Sequence, residues 1–263
     1  MSTSIRQTAR TTVTLLAVEA KTAWRSKRLL ILAAVFVLLG FAGPLAAKLT
    51  PAILQSAPGG AQLARLIPEP DSLDSWAQFY KSMTQLGIYM PAIILSGMVS
   101  HDVSSGALVN LVAKGLPRPT VIAAKYLSAL VQWALSITLA FSITWGYTLY
   151  YFPDGHGPHP LTALAPLLAF GFFFMAALVL GSALARSNHA ALLTAVIVQV
   201  ALMALNTLDR VKRYNPVSLL SGSMPLLKGD EDLCRLAPAF LVSLVAAAAC
   251  LTFSALILSR KRL

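Results

Sequence analysis

Few side chains in this sequence have the type and spacing that chemistry demands. Asp154, His156 and His159 fall within one stretch rich in Gly and Pro and could together ligate a divalent metal. Three polar residues in a turn of that composition more often only solvate it, so no metal is expected there. His101 and Asp102 sit at the edge of an apolar run, and His189 sits in a short turn. The sequence contains no GxxxxGK[ST] loop, no HExxH and no GxSxG. No apolar run carries a central Asp, Glu, Lys or Arg, the usual relays of ion-coupled carriers. A catalytic site in this chain is therefore not expected. An ion-coupled secondary carrier is disfavoured, although coordination of Na⁺ by carbonyls would escape this argument.

What remains inside the apolar runs is amide and hydroxyl. Gln85, Tyr89, Ser96, Gln199 and Asn206 are the candidate lining of a transport path. Ser128, Gln132 and Ser136 recur every fourth residue, on one helical stripe. Such a stripe suits either hydrogen bonding between helices or a path. Ala177, Gly181 and Ala185 form a small-residue face of the kind that lets two helices approach closely.

The elements that must position these residues read as membrane helices. The chain of 263 residues is 57% hydrophobic and 12% charged. A soluble domain carries about 25% charge. Six uncharged windows are long enough to span, at about 29–47, 82–100, 126–150, 161–185, 190–208 and 236–259. The expected fold is all-α: a six-helix transmembrane domain over 29–259, preceded by an amphipathic interfacial helix over 1–28 and followed by a basic tail, 260–263. In the leader, Ile5, Ala9, Val13, Leu16, Ala20 and Trp24 recur at helical spacing, with Arg6, Arg10, Lys21 and Arg25 on other faces. A cleaved signal peptide is the alternative, with Leu45-Ala46-Ala47 near its processing site. The apolar run is longer than a usual signal core and the leader is too patterned for one.

The net charge of +11 fits flanking Lys and Arg better than nucleic-acid binding. A nucleic-acid face would interleave aromatics with basic residues, and none is seen. With the N-terminus inside, thirteen of the 21 Lys and Arg fall on the cytoplasmic side and eight outside. Both termini are accordingly expected in the cytoplasm, as is the loop 101–125. Asp71, with Asp74 three residues on, should cap a helix. Trp76, Phe79 and Tyr80 after it are expected to form an interfacial belt, and Pro91 should kink the second span. The segment 209–235 is too apolar for a solvated loop. It should either dip into the membrane or form short capping helices.

At 98–125 the chain resembles the permease subunits of bacterial ABC transporters of the type-2 exporter class. In that family the second span is followed by Glu-x-x-x-Gly-Thr, an apolar helix, a Pro/Ser-Arg turn and a Lys that opens the third span. Asp102, Gly106, Ala107, Leu108–Val112, Pro117, Arg118 and Lys125 occupy those positions here. The stretches 43–51, 68–70 and 78–81 also look like a group of such permeases in Gram-positive bacteria. Asp102 replaces the Glu and Ala107 the Thr, which puts contacts made by either in doubt.

The resemblance implies a multi-pass protein of the bacterial cell membrane that pairs with a second copy or a related permease. Each would carry a separate ATPase subunit that binds ATP and Mg, with no cofactor in this chain. Gly106–Leu116 would be the coupling helix. Leu108, Val109, Leu111 and Val112 would enter a groove of the ATPase, while Lys114 and Arg118 meet its acidic rim. The same helix could instead lie in the lipid interface, with Lys114 and Arg118 on head groups. A membrane anchor for an ATPase or assembly factor is the other functional reading.

Overall fold

Within hydrocarbon every backbone N–H and C=O needs a protein partner, and an uncharged run of about 20 residues supplies its own by forming a helix. A computed structural model describes residues 15, 18–19, 21–56, 69–99, 117–154, 159–184 and 188–260. Among these residues all regular structure is helical. Helix α1 spans Arg28–Ser56. A short helical stretch at residues 21–25 precedes it. Lys27 links the two with φ 58°, a left-handed conformation that makes an elbow. Its carbonyl already accepts from the Ile31 N–H, at 2.9 Å.

The second helical run starts at Ser72, ahead of the expected window, because Asp71 caps it as its spacing predicts. Asp71 Oδ1 accepts from the Asp74 N–H at 3.0 Å, and Asp74 Oδ2 accepts from the Asp71 N–H at 3.2 Å. Helix α2, Ser72–Ser82, runs into a π-helical turn, Met83–Gly87, and then into α3, Tyr89–Leu95. In a regular helix the Pro91 ring would collide with the Gly87 carbonyl. The π-turn ends at Gly87, so the expected kink takes the form of a widened turn.

Seven helices follow among the described residues. Helix α4 spans Arg118–Tyr151, α5 Pro160–Leu184 and α6 Asn188–Leu205. Three short helices, α7 (Asp209–Lys212), α8 (Ser218–Ser221) and α9 (Ser223–Lys228), lead to α10, Leu233–Arg260. Helix α4 begins eight positions before Tyr126, the start that the sequence suggests. Pro117 and Pro119 suit a first turn, where no N–H is needed. Helices α1, α4, α5 and α10 are long and apolar enough to cross a membrane. Helix α6 has 18 residues, about 27 Å at roughly 1.5 Å per residue.

Two sets of ties define the ends of the bundle. At one end, the base, the Val99 N–H donates to Ser182 Oγ at 3.0 Å, and Arg118 reaches the last turn of α10. At the other, the cap, the Ser72 N–H donates to Asp154 Oδ2 at 2.7 Å, and Asn215 Nδ2 donates to the Leu202 carbonyl at 2.7 Å. Asp154 thus serves the start of α2. His156 lies outside the described residues.

The core joins Phe36, Trp133, Ile137, Phe170 and Phe174 across α1, α4 and α5. Close backbone approach makes this possible. A Cβ at Gly40 would lie 2.8 Å from the Ala140 carbonyl oxygen, and the Thr144 hydroxyl donates to the Gly40 carbonyl at 2.8 Å. At Gly171 a Cβ would fall inside the Trp133 indole. Trp76, Phe79 and Tyr80 do not form an interfacial belt. They are buried, and Trp76 and Phe79 pack on Phe141 of α4. Their stripe faces the bundle because α2 packs between α1 and α4. The segment 209–235 forms capping helices, with Leu219, Leu220, Leu226 and Leu227 in the main core.

Candidate functional site

The base of the bundle holds two cations whose side chains tie separate elements together. Lys125 lies one and a half turns or more into α4 and is almost fully buried. Its Nζ meets Glu19 Oε1 of the N-terminal segment at 2.6 Å, with the side chains 8% and 17% exposed. The carboxylate offsets the cost of burying the lysine there, since an unpaired buried charge costs several kcal/mol. Leu15 and Ala23, one turn to either side of Glu19, are buried, whereas Trp24 is exposed. The leader therefore turns a Leu15–Glu19–Ala23 stripe to the protein. Trp24, on the stripe chosen from periodicity, points away from it. Glu19 is the residue that sequence reasoning missed. Its signal was present: it is the sole acidic residue before Glu69 in a strongly basic leader.

Arg118 forms the second tie. Its Nη1 donates to the carbonyls of Leu258 and Ser259, at 2.8 and 2.5 Å. The last carbonyls of a helix have no partner within it, and a cation there also meets the negative end of the helix dipole. A small apolar cluster of Val99, Val121, Ile122, Val179, Ala183 and Leu258 fills the space between these ties. The base thus fastens the leader, the end of α3, the start of α4 and the end of α10 to one another.

Of the expected coupling residues, Pro117 and Arg118 are described. Pro117 is the N-cap of α4, with ψ 131°. Asp102, Gly106, Leu108, Val109, Leu111, Val112 and Lys114 lie outside the described residues. They are bracketed by Val99 and Pro117, both at the base.

The expected path residues do not share one environment. Gln85 is exposed within the π-turn, and Tyr89 is half-buried. Ser96 is buried and donates to the Ile93 carbonyl of its own helix, at 3.1 Å. Gln199 is 1% exposed, and neither its Oε1 nor its Nε2 has a hydrogen-bond partner among the described residues. It continues the buried stripe Ala191, Ala195 along α6. Asn206 is half-buried, with Oδ1 unpartnered. A buried amide without partners is costly, so Gln199 marks a point where the bundle is not satisfied as it stands. The Ser128–Gln132–Ser136 stripe is buried and bonds mostly within its own helix. Gln132 Nε2 donates to the Ser128 carbonyl at 3.2 Å and Ser136 Oγ to the Gln132 carbonyl at 2.7 Å, while Gln132 Oε1 has no partner. Gly181 lies against the Ala191 carbonyl of α6, as a small-residue face requires.

Among the described residues no three His, Cys, Asp or Glu are grouped to hold a metal. No curated protein and no solved structure matches the chain. The family model described as ABC-2 family transporter protein matches residues 13–208, from the leader to the end of α6. That range takes in Glu19, Arg118 and Lys125, and this multi-pass membrane protein belongs to the ABC-2 transporter family.

Proposed function

We propose that the chain is the membrane-spanning permease subunit of an ATP-driven ABC exporter of a bacterial cell membrane. Six spans cross the membrane, with α2–α3 and α6 completing the four longer ones, and both termini lie in the cytoplasm. The base is the cytoplasmic end. The loop 101–125 carries the coupling helix Gly106–Leu116, which docks on a separate ATPase subunit. Two permeases pair, and ATP and Mg belong to the partner.

The observation that carries this reading is the junction at the base. A force applied between Val99 and Pro117 enters α4 at Arg118 and Lys125. From there it meets the leader through Glu19 and α10 through Leu258 and Ser259. A coupling loop needs such a junction, because contacts that differ between two states shift a transporter only when they act on packed elements. Gln199, buried and unpartnered, is the path residue best placed to find partners in a second state.

The test is co-purification with a separately encoded ATPase. ATPase activity of the complex is expected to fall when Leu108 and Val112 are replaced by Asp. Substrate export is expected to fail with Gln199→Leu while ATPase binding persists. A chain that binds no ATPase and transports alone down an ion gradient would overturn the proposal. Retained ATPase docking with no transport under any condition would favour the membrane-anchor reading.

A further inference from the structure

At the cap, α7, α8, α9 and the start of α10 line a half-open cavity of about 580 Å³. Lys212, Arg213 and Arg235 line it, together with Asp209, Glu231 and the buried Leu236. All of these lie beyond the family-matched residues 13–208. The charges are not evenly spent. Glu231 is paired with Arg235 one helical turn away. Lys212 and Arg213 make no ion pair or side-chain hydrogen bond among the described residues, and both are exposed. The three cations and two carboxylates leave the lining with one net positive charge. The surroundings are apolar: Leu205, Leu208 and Tyr214 are exposed beside α7, and Leu241, Leu244 and Val245 are exposed further along α10.

We propose that this cavity is a binding site for the head group of a singly charged anionic phospholipid. The assignment rests on the reading of the cap as an end of a membrane-spanning bundle. A phosphodiester carries one negative charge, which matches the single surplus cation. It offers two acceptor oxygens to the forked guanidinium of Arg213 and to the Lys212 ammonium. Its acyl chains would lie along the exposed apolar face of α10, which in lipid has no other polar or protein partner among the described residues. A soluble monoanion would neutralise the same cations but would leave that face unused. Asp209 and Glu231 argue against a polyanion, which they would repel.

The experiment uses the full-length protein in nanodiscs of phosphatidylcholine, with and without phosphatidylglycerol, and native mass spectrometry to count retained lipid. Retention of phosphatidylglycerol over phosphatidylcholine is expected for the unaltered chain. The double substitution Lys212→Gln, Arg213→Gln should reduce that preference about tenfold to thirtyfold. Lys228→Gln, which removes an exposed cation of the cap outside this cavity, should leave it unchanged. Equal retention of the two lipids overturns the proposal, as does an equal loss with Lys228→Gln. Inorganic phosphate that binds through Lys212 and Arg213 while phosphatidylglycerol does not overturns the lipid assignment in favour of a soluble anion. None of these readouts involves the ATPase, so failure here leaves the permease proposal intact. Loss of ATPase docking likewise leaves the lipid result standing.

Discussion

The two ends of the bundle use positive charge in opposite ways. At the base, Lys125 is buried against Glu19, and Arg118 closes the end of α10. At the cap, Lys212 and Arg213 are exposed, with no ion pair or side-chain hydrogen bond among the described residues. Charge that is taken out of water must be matched within the protein, so at the base it becomes a structural tie. Charge that stays at the surface costs little to leave unmatched and remains available to something outside. The contrast separates residues that hold elements of the bundle together from residues that can meet a ligand or lipid.

Removing one partner of the buried pair should break the contrast most severely. Glu19→Ala removes a carboxylate that the buried Lys125 meets and is expected to destabilise the protein by about 3–5 kcal/mol, read as a fall in its thermal midpoint in detergent. Glu19→Leu combined with Lys125→Met should recover most of that loss. If the double variant is no better than Glu19→Ala, the pair is not a tie.

Arg118→Gln is expected to cost about 1–2 kcal/mol, because it uncovers the Leu258 and Ser259 carbonyls and removes a cation from a helix C-terminus. Hydrogen exchange should rise at the end of α10 and not at its start. Unchanged exchange at residues 256–260 would mean that the clasp carries no stability.

Lys27→Gly changes a base cation of a third kind, one held in a left-handed elbow. It should stabilise the fold by about 1 kcal/mol, since glycine adopts that conformation without the Cβ clash. A loss of stability would show that the Lys27 side chain has a role that outweighs its backbone.

The smallest effect is expected at the cap. Lys212→Gln with Arg213→Gln should alter stability by less than about 0.5 kcal/mol. A larger change in a neutral-lipid environment would mean that these cations also hold the fold, and the two ends would no longer differ in kind.

The features legible in the sequence are those decided within a few residues. Asp71 and Asp74 cap a helix through contacts three residues apart, so their spacing was sufficient. Pro91 disturbs its own helix wherever that helix packs, although the π-turn itself was not foreseen. The small-residue face at Ala177 and Gly181 follows from side-chain size, and Gly181 does meet α6. The aromatic residues of α2 were read wrongly because an aromatic at a helix end is equally suited to an interface and to a core. Packing against Phe141, distant in sequence, made the choice.

Composition and the length of uncharged runs by themselves pointed to a helical membrane chain, because an uncharged run of about 20 residues in hydrocarbon satisfies its own backbone polar groups as a helix, whereas a barrel strand needs only about 9–11. The tertiary structure alone decided which charges are matched. Glu19 finds Lys125, and Arg118 finds Leu258 and Ser259, only when helices far apart in the chain converge at one end. Ion pairing and helix capping of that kind depend on distances of a few ångströms across the fold, and sequence spacing carries no record of them.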